Sequence, residues 1–171
     1  VALLDHISGG RVNWGAGRGF DPTEHKVFGV EPQGSYPRFR EAVEIVLTAW
    51  ENERLNYEGE FWRFEDVEVL PKPLQDPMPV WLAATSLEAI EWTAQRGHTI
   101  MMDPHAPHPE IAKKRAFYSE ALEAAGFSIS GRDIPMARTL AMGATAREAD
   151  AVGRRGAEFM FGNYLRKKAN I

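Results

Sequence analysis

The sequence has no cysteine among its 171 residues. That absence excludes disulfide bonds, thiolate catalysis and cysteine-ligated zinc, and it favours a cytoplasmic location. Long apolar runs are also missing, so no membrane association is predicted. Basic residues are outnumbered by acidic ones, with 20 Lys and Arg against 24 Asp and Glu, for a net charge of −4. With no basic patch, the sequence predicts no nucleic-acid partner.

Apolar residues make up 44% of the chain, which is enough for one globular core. We therefore expect residues 1–171 to form a single domain. The first residue is Val1, and the opening segment starts in the middle of a pattern. We accordingly expect a fragment, or a gene product that lacks its usual beginning.

Short apolar segments alternate with amphipathic ones along the chain. The predicted strands are Val12–Gly17, Val80–Ala84, Thr99–Met102 and Ala137–Met142. The predicted helices cover about 37–50, Ser86–Arg96 and Pro109–Ala125, with a last helix that begins at the capping box Thr145-x-x-Glu148. Uniformly apolar strands between helices indicate a parallel sheet in an α/β fold. Both an open doubly wound sheet and part of an eightfold barrel fit this order; a full barrel needs about 250 residues.

Two segments break the alternation. The segment Asp21–Gly34 contains prolines and glycines and is predicted to be irregular. Residues 55–79 are predicted to form a hairpin and loop insertion, which ends in a proline-rich stretch.

The first candidate site motif is Gly15-Ala16-Gly17-Arg18-Gly19, directly after a predicted strand. It does not fit the dinucleotide-binding fingerprint, because Phe20 stands where the third glycine belongs. One alternative is that the glycines only permit a tight turn. In a parallel sheet, however, the strand end also brings Arg18 to the usual binding edge, where a guanidinium can pair with a phosphate.

The second motif, Ala84-Thr85-Ser86, joins a predicted strand directly to a helix. The free N–H groups of a helix N-terminus suit an anion. An alternative is that Thr85 and Glu88 form a capping box without any ligand, and Glu88 would repel a phosphate at this position.

A third motif, from Asp103 through His105 to His108, contains residue types that can bind a metal. Its two prolines do not match a standard ligand spacing, so no metal site is predicted. His6, His25 and His98 are isolated in the sequence and are predicted to be surface or loop residues.

Several segments in order resemble the bacterial luciferase-like monooxygenases, which use flavin or the deazaflavin F420. Ser8–Gly19 resembles the family's fourth-strand segment, Tyr57–Pro73 its hairpin insert, and Pro79–Gly97 its fifth strand and following helix. The resemblance implies a (β/α)8 TIM barrel of which this chain holds about the fourth to seventh β/α units.

The same resemblance implies a site for reduced FMN, or alternatively F420, with the phosphate between Arg18 and the Thr85-Ser86 loop. It further implies contacts from Phe20 and Ala84 near the phosphate and from Met101 near the ring. Two positions depart from the family: Thr85 replaces an acidic residue of the luciferase alpha chain, and Glu88 replaces a small hydroxyl residue. No catalytic residue is assigned, since the family's catalytic histidine lies in strands without a counterpart here.

The implied activity is monooxygenation of a small organic substrate with reduced FMN and O2, with a flavin reductase as candidate partner. A homo- or hetero-oligomer is also expected, because an incomplete barrel exposes sheet edges. Two alternatives stay open: hydride transfer with F420, and a non-catalytic flavin-binding or partner subunit.

Overall fold

The structure is a computed structural model that describes residues 1–19 and 21–162. None of the helices in this part of the chain is both long and apolar enough to cross a membrane. In chain order the elements are α1 (Ala2–Ser8), β1 (Trp14–Ala16), α2 (Pro22–Phe28), α3 (Ser35–Glu51), β2 (Arg54–Glu58), β3 (Arg63–Glu68), β4 (Val80–Ala83), α4 (Leu87–Gln95), β5 (Thr99–Met101), α5 (His108–Ala124) and α6 (Ala146–Met160).

Strands β1, β4 and β5 form a parallel sheet in the order β1-β4-β5. In its register, Ala16 lies opposite Leu82, and Leu82 lies opposite Ile100. Helices lie between successive parallel strands in the chain, as crossover connections require. The predicted α/β class is therefore confirmed.

One face of this sheet carries the core. Leu82 and Ile100 are buried on that face, where Ile90 of α4 and Tyr118 and Leu122 of α5 are buried as well. Full burial of a side chain of this size contributes about 1.5–3 kcal/mol. The Tyr118 hydroxyl remains satisfied, because it donates a hydrogen bond of 2.8 Å to the carbonyl oxygen of His98.

The other face of the sheet is more accessible. Successive strand residues point to opposite sides, so Trp81, Ala83 and Met101 lie on the face away from the core. Ala83 is exposed, and Trp81 and Met101 are half-buried. Gly15 of β1 shares this face, and a Cβ there would be 3.7 Å from the Met101 Cε.

The predicted strand at Ala137–Met142 is wrong. Within the described residues, the sheet reaches this segment through a single parallel bridge between Met102 and Met136. Beyond it, the Arg138 guanidinium donates hydrogen bonds of 2.9 and 2.8 Å to the carbonyl oxygens of Pro104 and Ala106. Leu140 is 79% exposed, so the apolar residues that suggested a strand do not reach the core.

The segment Asp21–Gly34 is not wholly irregular, since it contains α2. The Asp21 carboxylate caps this helix by accepting a hydrogen bond of 2.7 Å from the Thr23 N–H, and Pro22 occupies the first turn. Gly29 ends the helix in the left-handed conformation that glycine adopts readily. His25, predicted to be a surface or loop residue, is buried in α2.

Strands β2 and β3 form the predicted hairpin, and Glu41 of α3 holds its turn. The buried Glu41 carboxylate accepts hydrogen bonds from the N–H groups of Glu60, Phe61 and Trp62, at 2.9–3.1 Å. Gly59 is required next to it, because a Cβ there would overlap the Glu41 carboxylate. The insertion is thus attached to α3 by a carboxylate among backbone donors.

Helix caps follow the sequence at one position and depart from it at another. The predicted N-cap at Thr145 is confirmed, since the Thr145 hydroxyl accepts a hydrogen bond of 3.2 Å from the Glu148 N–H. The Glu148 carboxylate accepts in turn from the Ala144 N–H at 2.9 Å, one residue before the N-cap. For α4 the predicted Thr85–Glu88 box is wrong. Ser86 has the extended backbone of an N-cap, and its hydroxyl accepts a hydrogen bond of 3.2 Å from the Ala89 N–H.

A fully buried carboxylate, that of Asp5, joins α1 to the segment that leads into β4. It accepts hydrogen bonds of 2.9 Å from the N–H groups of Leu74 and Gln75, and further bonds from the Gln75 side chain and Val12 N–H. Burial alone would raise the pKa of Asp5, but the hydrogen bonds from Gln75, Val12 and Leu74 outweigh it and lower the pKa.

Asp5→Asn should lower the urea midpoint of unfolding at neutral pH, because the amide presents N–H groups to backbone donors. A folded-state pKa below the unfolded value of about 3.9 stabilises the protein above that pH. The stabilisation is lost as the pH falls through the folded pKa, so the two proteins should converge there. Asp133→Asn at an exposed carboxylate is the control. An equal difference at every pH would contradict this role.

Ser86→Ala should reduce the free energy of unfolding by about 1 kcal/mol, the usual cost of losing an N-cap hydroxyl. Thr85→Ala is the matched control and should change it by less than about 0.5 kcal/mol, as for an exposed residue. Urea denaturation of both variants measures the difference. A larger loss from the Thr85 variant would restore the capping box that the sequence predicted.

Candidate cofactor-binding site

Two loops meet at the carboxyl ends of the parallel strands. Because β1 and β4 run in the same direction, the loops that follow them leave from the same edge. A cavity of about 530 Å³ lies there, and both loops line it. Four of the six residues predicted to bind the cofactor are among its lining residues: Arg18, Ala84, Thr85 and Ser86.

Arg18 is exposed in the first loop and is oriented by α3. Its Nη1 donates a hydrogen bond of 2.7 Å to the Ser35 hydroxyl, which in turn donates to the Pro32 carbonyl oxygen at 2.6 Å. The Arg18 Cζ also lies 5.9 Å from the ring centroid of Tyr36. Since a guanidinium carries five N–H donors, the bond to Ser35 orients Arg18 and leaves capacity for an anion.

The second loop presents the N-terminus of α4. The first N–H groups of a helix have no partner within the helix and carry its positive dipole end. Ser86 accepts a hydrogen bond as the N-cap, so its hydroxyl proton stays available to a ligand. Thr85, immediately before it, is exposed at the cavity. This loop therefore offers several hydrogen-bond donors at the cavity that Arg18 also lines.

Glu88 also lines the cavity, and its charge has a partner. The Glu88 carboxylate accepts a hydrogen bond of 2.8 Å from Nη2 of Arg40, a residue of α3. The Arg40 Cζ lies 4.2 Å from the ring centroid of Tyr36. The cavity thus contains a carboxylate that is paired with a second arginine.

The other two predicted residues are placed differently. Met101 does not line this cavity; it lies on the accessible face of the sheet beside Gly15. Phe20 lies outside the described residues. Both stay predictions that rest on the family resemblance.

Sequence reasoning missed three residues around Arg18, namely Ser35, Tyr36 and Arg40 of α3. Their pairing with distant loops depends on how α3 lies against the sheet, and no local motif signals it. The i, i+4 spacing of Tyr36 and Arg40 was a detectable feature, because it puts both on the same helix face.

The loop after β5 adds His105 to the cavity lining. Its Asp103 carboxylate accepts hydrogen bonds from the N–H groups of His105 and Ala106, at 2.9 and 3.2 Å, and from Lys114 at 3.3 Å. Burial would raise the pKa of Asp103, yet these hydrogen bonds and the charge of Lys114 lower it. The Asp103 carboxylate therefore stabilises the conformation of its own loop.

A larger cavity, of about 710 Å³, lies at the amino ends of β4 and β5. The cationic side chains that line it are engaged: Lys72 donates to the Ala49 carbonyl, Arg96 pairs with Glu44, and Arg132 donates to the Gly97 carbonyl. His98, predicted to be a surface or loop residue, is half-buried there, and burial, with Arg96 and Arg132, lowers its pKa.

Ligands of parallel α/β proteins bind at the carboxyl ends of the strands. The cavity of Arg18 and Ser86 has that position, whereas the larger cavity has the opposite one. The smaller cavity is therefore the candidate site.

Curated relatives point to one family of enzymes. The oxygenase component of a flavin-dependent trigonelline monooxygenase from Acinetobacter baylyi is 31% identical over 127 residues, which cover 72% of this chain and 35% of that protein. The alkanal monooxygenase alpha chain of Photobacterium leiognathi is 26% identical over 164 residues, or 96% of this chain and 46% of that protein. The matches thus cover less than half the length of these relatives.

Solved structures agree in fold. A monooxygenase from Streptomyces bottropensis superposes with a TM-score of 0.87 at 32% identity, over 99% of this chain and 52% of that one. An oxygenating constituent of 3,6-diketocamphane monooxygenase from Pseudomonas putida, solved with FMN, gives 0.72 at 21% identity, over 96% and 49% of the two chains. An F420-dependent secondary alcohol dehydrogenase with an F420–acetone adduct gives 0.68 at 21% identity, over 79% and 42%.

The sequence matches the luciferase-like monooxygenases along almost its whole length, over residues 1–168. This match agrees with the parallel sheet and with the order of its loops. The chain belongs to the luciferase-like monooxygenase family.

Proposed function

We propose that this chain is the phosphate-binding part of a flavin-dependent oxidoreductase, a monooxygenase that uses reduced FMN and O2 on a small organic substrate. The observation that carries the proposal is that Arg18 and the N-terminus of α4 line one cavity. Neither feature alone identifies a ligand. Together they combine a guanidinium with helix N–H groups, two of the commonest partners of a phosphate.

The donor set fits a phosphate monoester. Arg18 can donate two parallel hydrogen bonds, and the hydroxyls of Thr85 and Ser86 can each donate one more. A cavity of about 530 Å³ is within the usual size range of small-molecule sites. Ala84 lines the same cavity, while Met101 and Phe20 are the further contacts that we propose for the cofactor.

The flavin would supply the two-electron chemistry, and this chain would supply its binding and orientation. Arg18 and the α4 N-terminus would hold the phosphate end at a fixed point beside the sheet. A fixed phosphate restricts where the ring can lie, and so contributes to catalysis by orientation. We assign no proton transfer to a residue of this chain.

We further propose that the three-stranded sheet is part of a (β/α)8 barrel and that residues 1–171 form one partial domain, with 55–79 as its insertion. Within the described residues, β1 and β5 are the outer strands of this sheet, and each pairs with β4 along one side only. The isolated bridge between Met102 and Met136 lies just beyond β5. Such edges favour pairing with further strands. This supports an oligomer or a longer barrel, and the oxygenase-component relative supports a flavin reductase as partner.

The second candidate is hydride transfer with F420. A structural relative that carries an F420 adduct supports it. The phosphate contacts do not separate the two cofactors, so titration with FMN and with F420 is the direct comparison.

Arg18→Ala should weaken FMN binding by about 1.5–3 kcal/mol, the usual loss for a hydrogen bond to a charged group. That corresponds to roughly a 10- to 150-fold rise in Kd. Riboflavin, which lacks the phosphate, should bind both proteins equally. Flavin fluorescence titration of the two proteins measures both ligands.

The matched control is Arg155→Ala, since Arg155 is exposed on α6 and does not line the cavity. Its FMN affinity should equal that of the wild type. An Arg18 variant with unchanged FMN affinity would remove Arg18 from the site and leave the proposal without its main contact.

A further inference from the structure

The charge of Glu88 conflicts with a phosphate in the candidate site. Glu88 lies in the first turn of α4, lines the cavity, and has a side chain that is 70% exposed. A carboxylate at this position competes with an anionic ligand for the same helix N-terminus. It also repels a phosphate directly, because both groups are negative.

Arg40 is held where it can cancel this charge. Its guanidinium lies against two aromatic rings of the cavity wall, 4.2 Å from the Tyr36 centroid and 5.3 Å from the Trp92 centroid. The Arg40 side chain is only 27% exposed, and its Nη2 donates to Glu88 at 2.8 Å. Among the described residues, the buried Arg40 Nε has no hydrogen-bond partner. The guanidinium is therefore fixed by ring faces and by a single carboxylate.

The Arg40–Glu88 pair is expected to contribute little to the stability of the fold. Ion pairs with one well-exposed partner contribute about 0–1 kcal/mol to stability. The location of the pair matters more for the charge of the site. The Arg40 and Arg18 guanidinium carbons both lie near the Tyr36 ring, at 4.2 and 5.9 Å from its centroid. Arg18, Arg40 and Glu88 thus lie around Tyr36, and these three groups sum to one positive charge. The Asp103 carboxylate also lines the cavity and is paired with Lys114.

We propose that Arg40 is a positioning residue for the cofactor phosphate, which acts by holding and neutralising the Glu88 carboxylate at the α4 N-terminus. The inference rests on the proposed function, because it requires a phosphate in the cavity. It predicts that Arg40 adds to the preference for FMN over riboflavin by removing a repulsion, while Arg18 provides the direct contact with the phosphate.

The test is a double-mutant cycle on the full chain with Arg40→Met, Glu88→Gln and both together. Methionine keeps much of the aliphatic length of arginine, so contacts with the rings are partly preserved. Arg40→Met should weaken FMN binding about three- to tenfold, because Glu88 is left unpaired beside the phosphate. Riboflavin affinity should stay constant, and the FMN loss should shrink at high ionic strength, where salt screens the repulsion.

Glu88→Gln in the Arg40→Met background should restore wild-type FMN affinity, since it removes the repelling charge. A purely structural role of Arg40 gives a different result: FMN and riboflavin affinities fall together, and the second substitution does not rescue them. That result, or an Arg40→Met variant with unchanged FMN affinity, would overturn the inference. If the wild-type protein does not prefer FMN over riboflavin, the proposed FMN site fails together with the role of Arg40. If Arg18→Ala loses the preference and Arg40→Met keeps it, the proposed FMN site stands and only the role of Arg40 is overturned.

Discussion

The candidate site depends on the parallel pairing of β1 with β4. This ladder joins segments far apart in the sequence, with Trp14 opposite Val80 and Ala16 opposite Leu82. A shift of one residue would turn every β1 side chain to the other face of the sheet and move the Arg18 loop with it. Two contacts at the start of β1 support this register. The backbone N–H of Trp14 donates a hydrogen bond of 2.8 Å to the Pro79 carbonyl oxygen, and the ring centroids of Trp14 and Trp50 lie 5.0 Å apart in an edge-on arrangement.

Helix α3 provides the second constraint. Its first turns contribute Ser35, Tyr36 and Arg40, which hold Arg18 on one side and Glu88 on the other. The same helix fixes the hairpin through Glu41. One rigid element thus connects the insertion to the cavity, so the positions of both arginines follow from the packing of α3 against the sheet.

Most of the fold was predictable from the sequence, because burial imposes its pattern directly. The short apolar runs at 80–84 and 99–102 predicted strands, and the structure has strands at Val80–Ala83 and Thr99–Met101. The prediction failed at Ala137–Met142, where an equally apolar run leaves the sheet after one bridge and Arg138 takes loop carbonyls instead. Composition cannot show whether an apolar segment finds a neighbouring strand.

The site was predictable only in part. Arg18 and Ser86 follow strands, so topology brought them together without further information. Which residue caps α4 was not predictable, since Thr85 and Ser86 are chemically similar and only the backbone of Ser86 is that of an N-cap. The Arg40–Glu88 pair depends on tertiary packing between α3 and α4, and the sequence suggested only that Glu88 would oppose a phosphate.

The proposed site requires two loops to bind one phosphate together. Backbone amide NMR of the 15N-labelled chain during titration with FMN tests it most directly. If both loops bind the phosphate, the amides of residues 17–19 and 86–89 should shift together along one binding curve, while those of 96–99 at the opposite cavity should not. Shifts confined to one loop, or centred on residues 96–99, would contradict it.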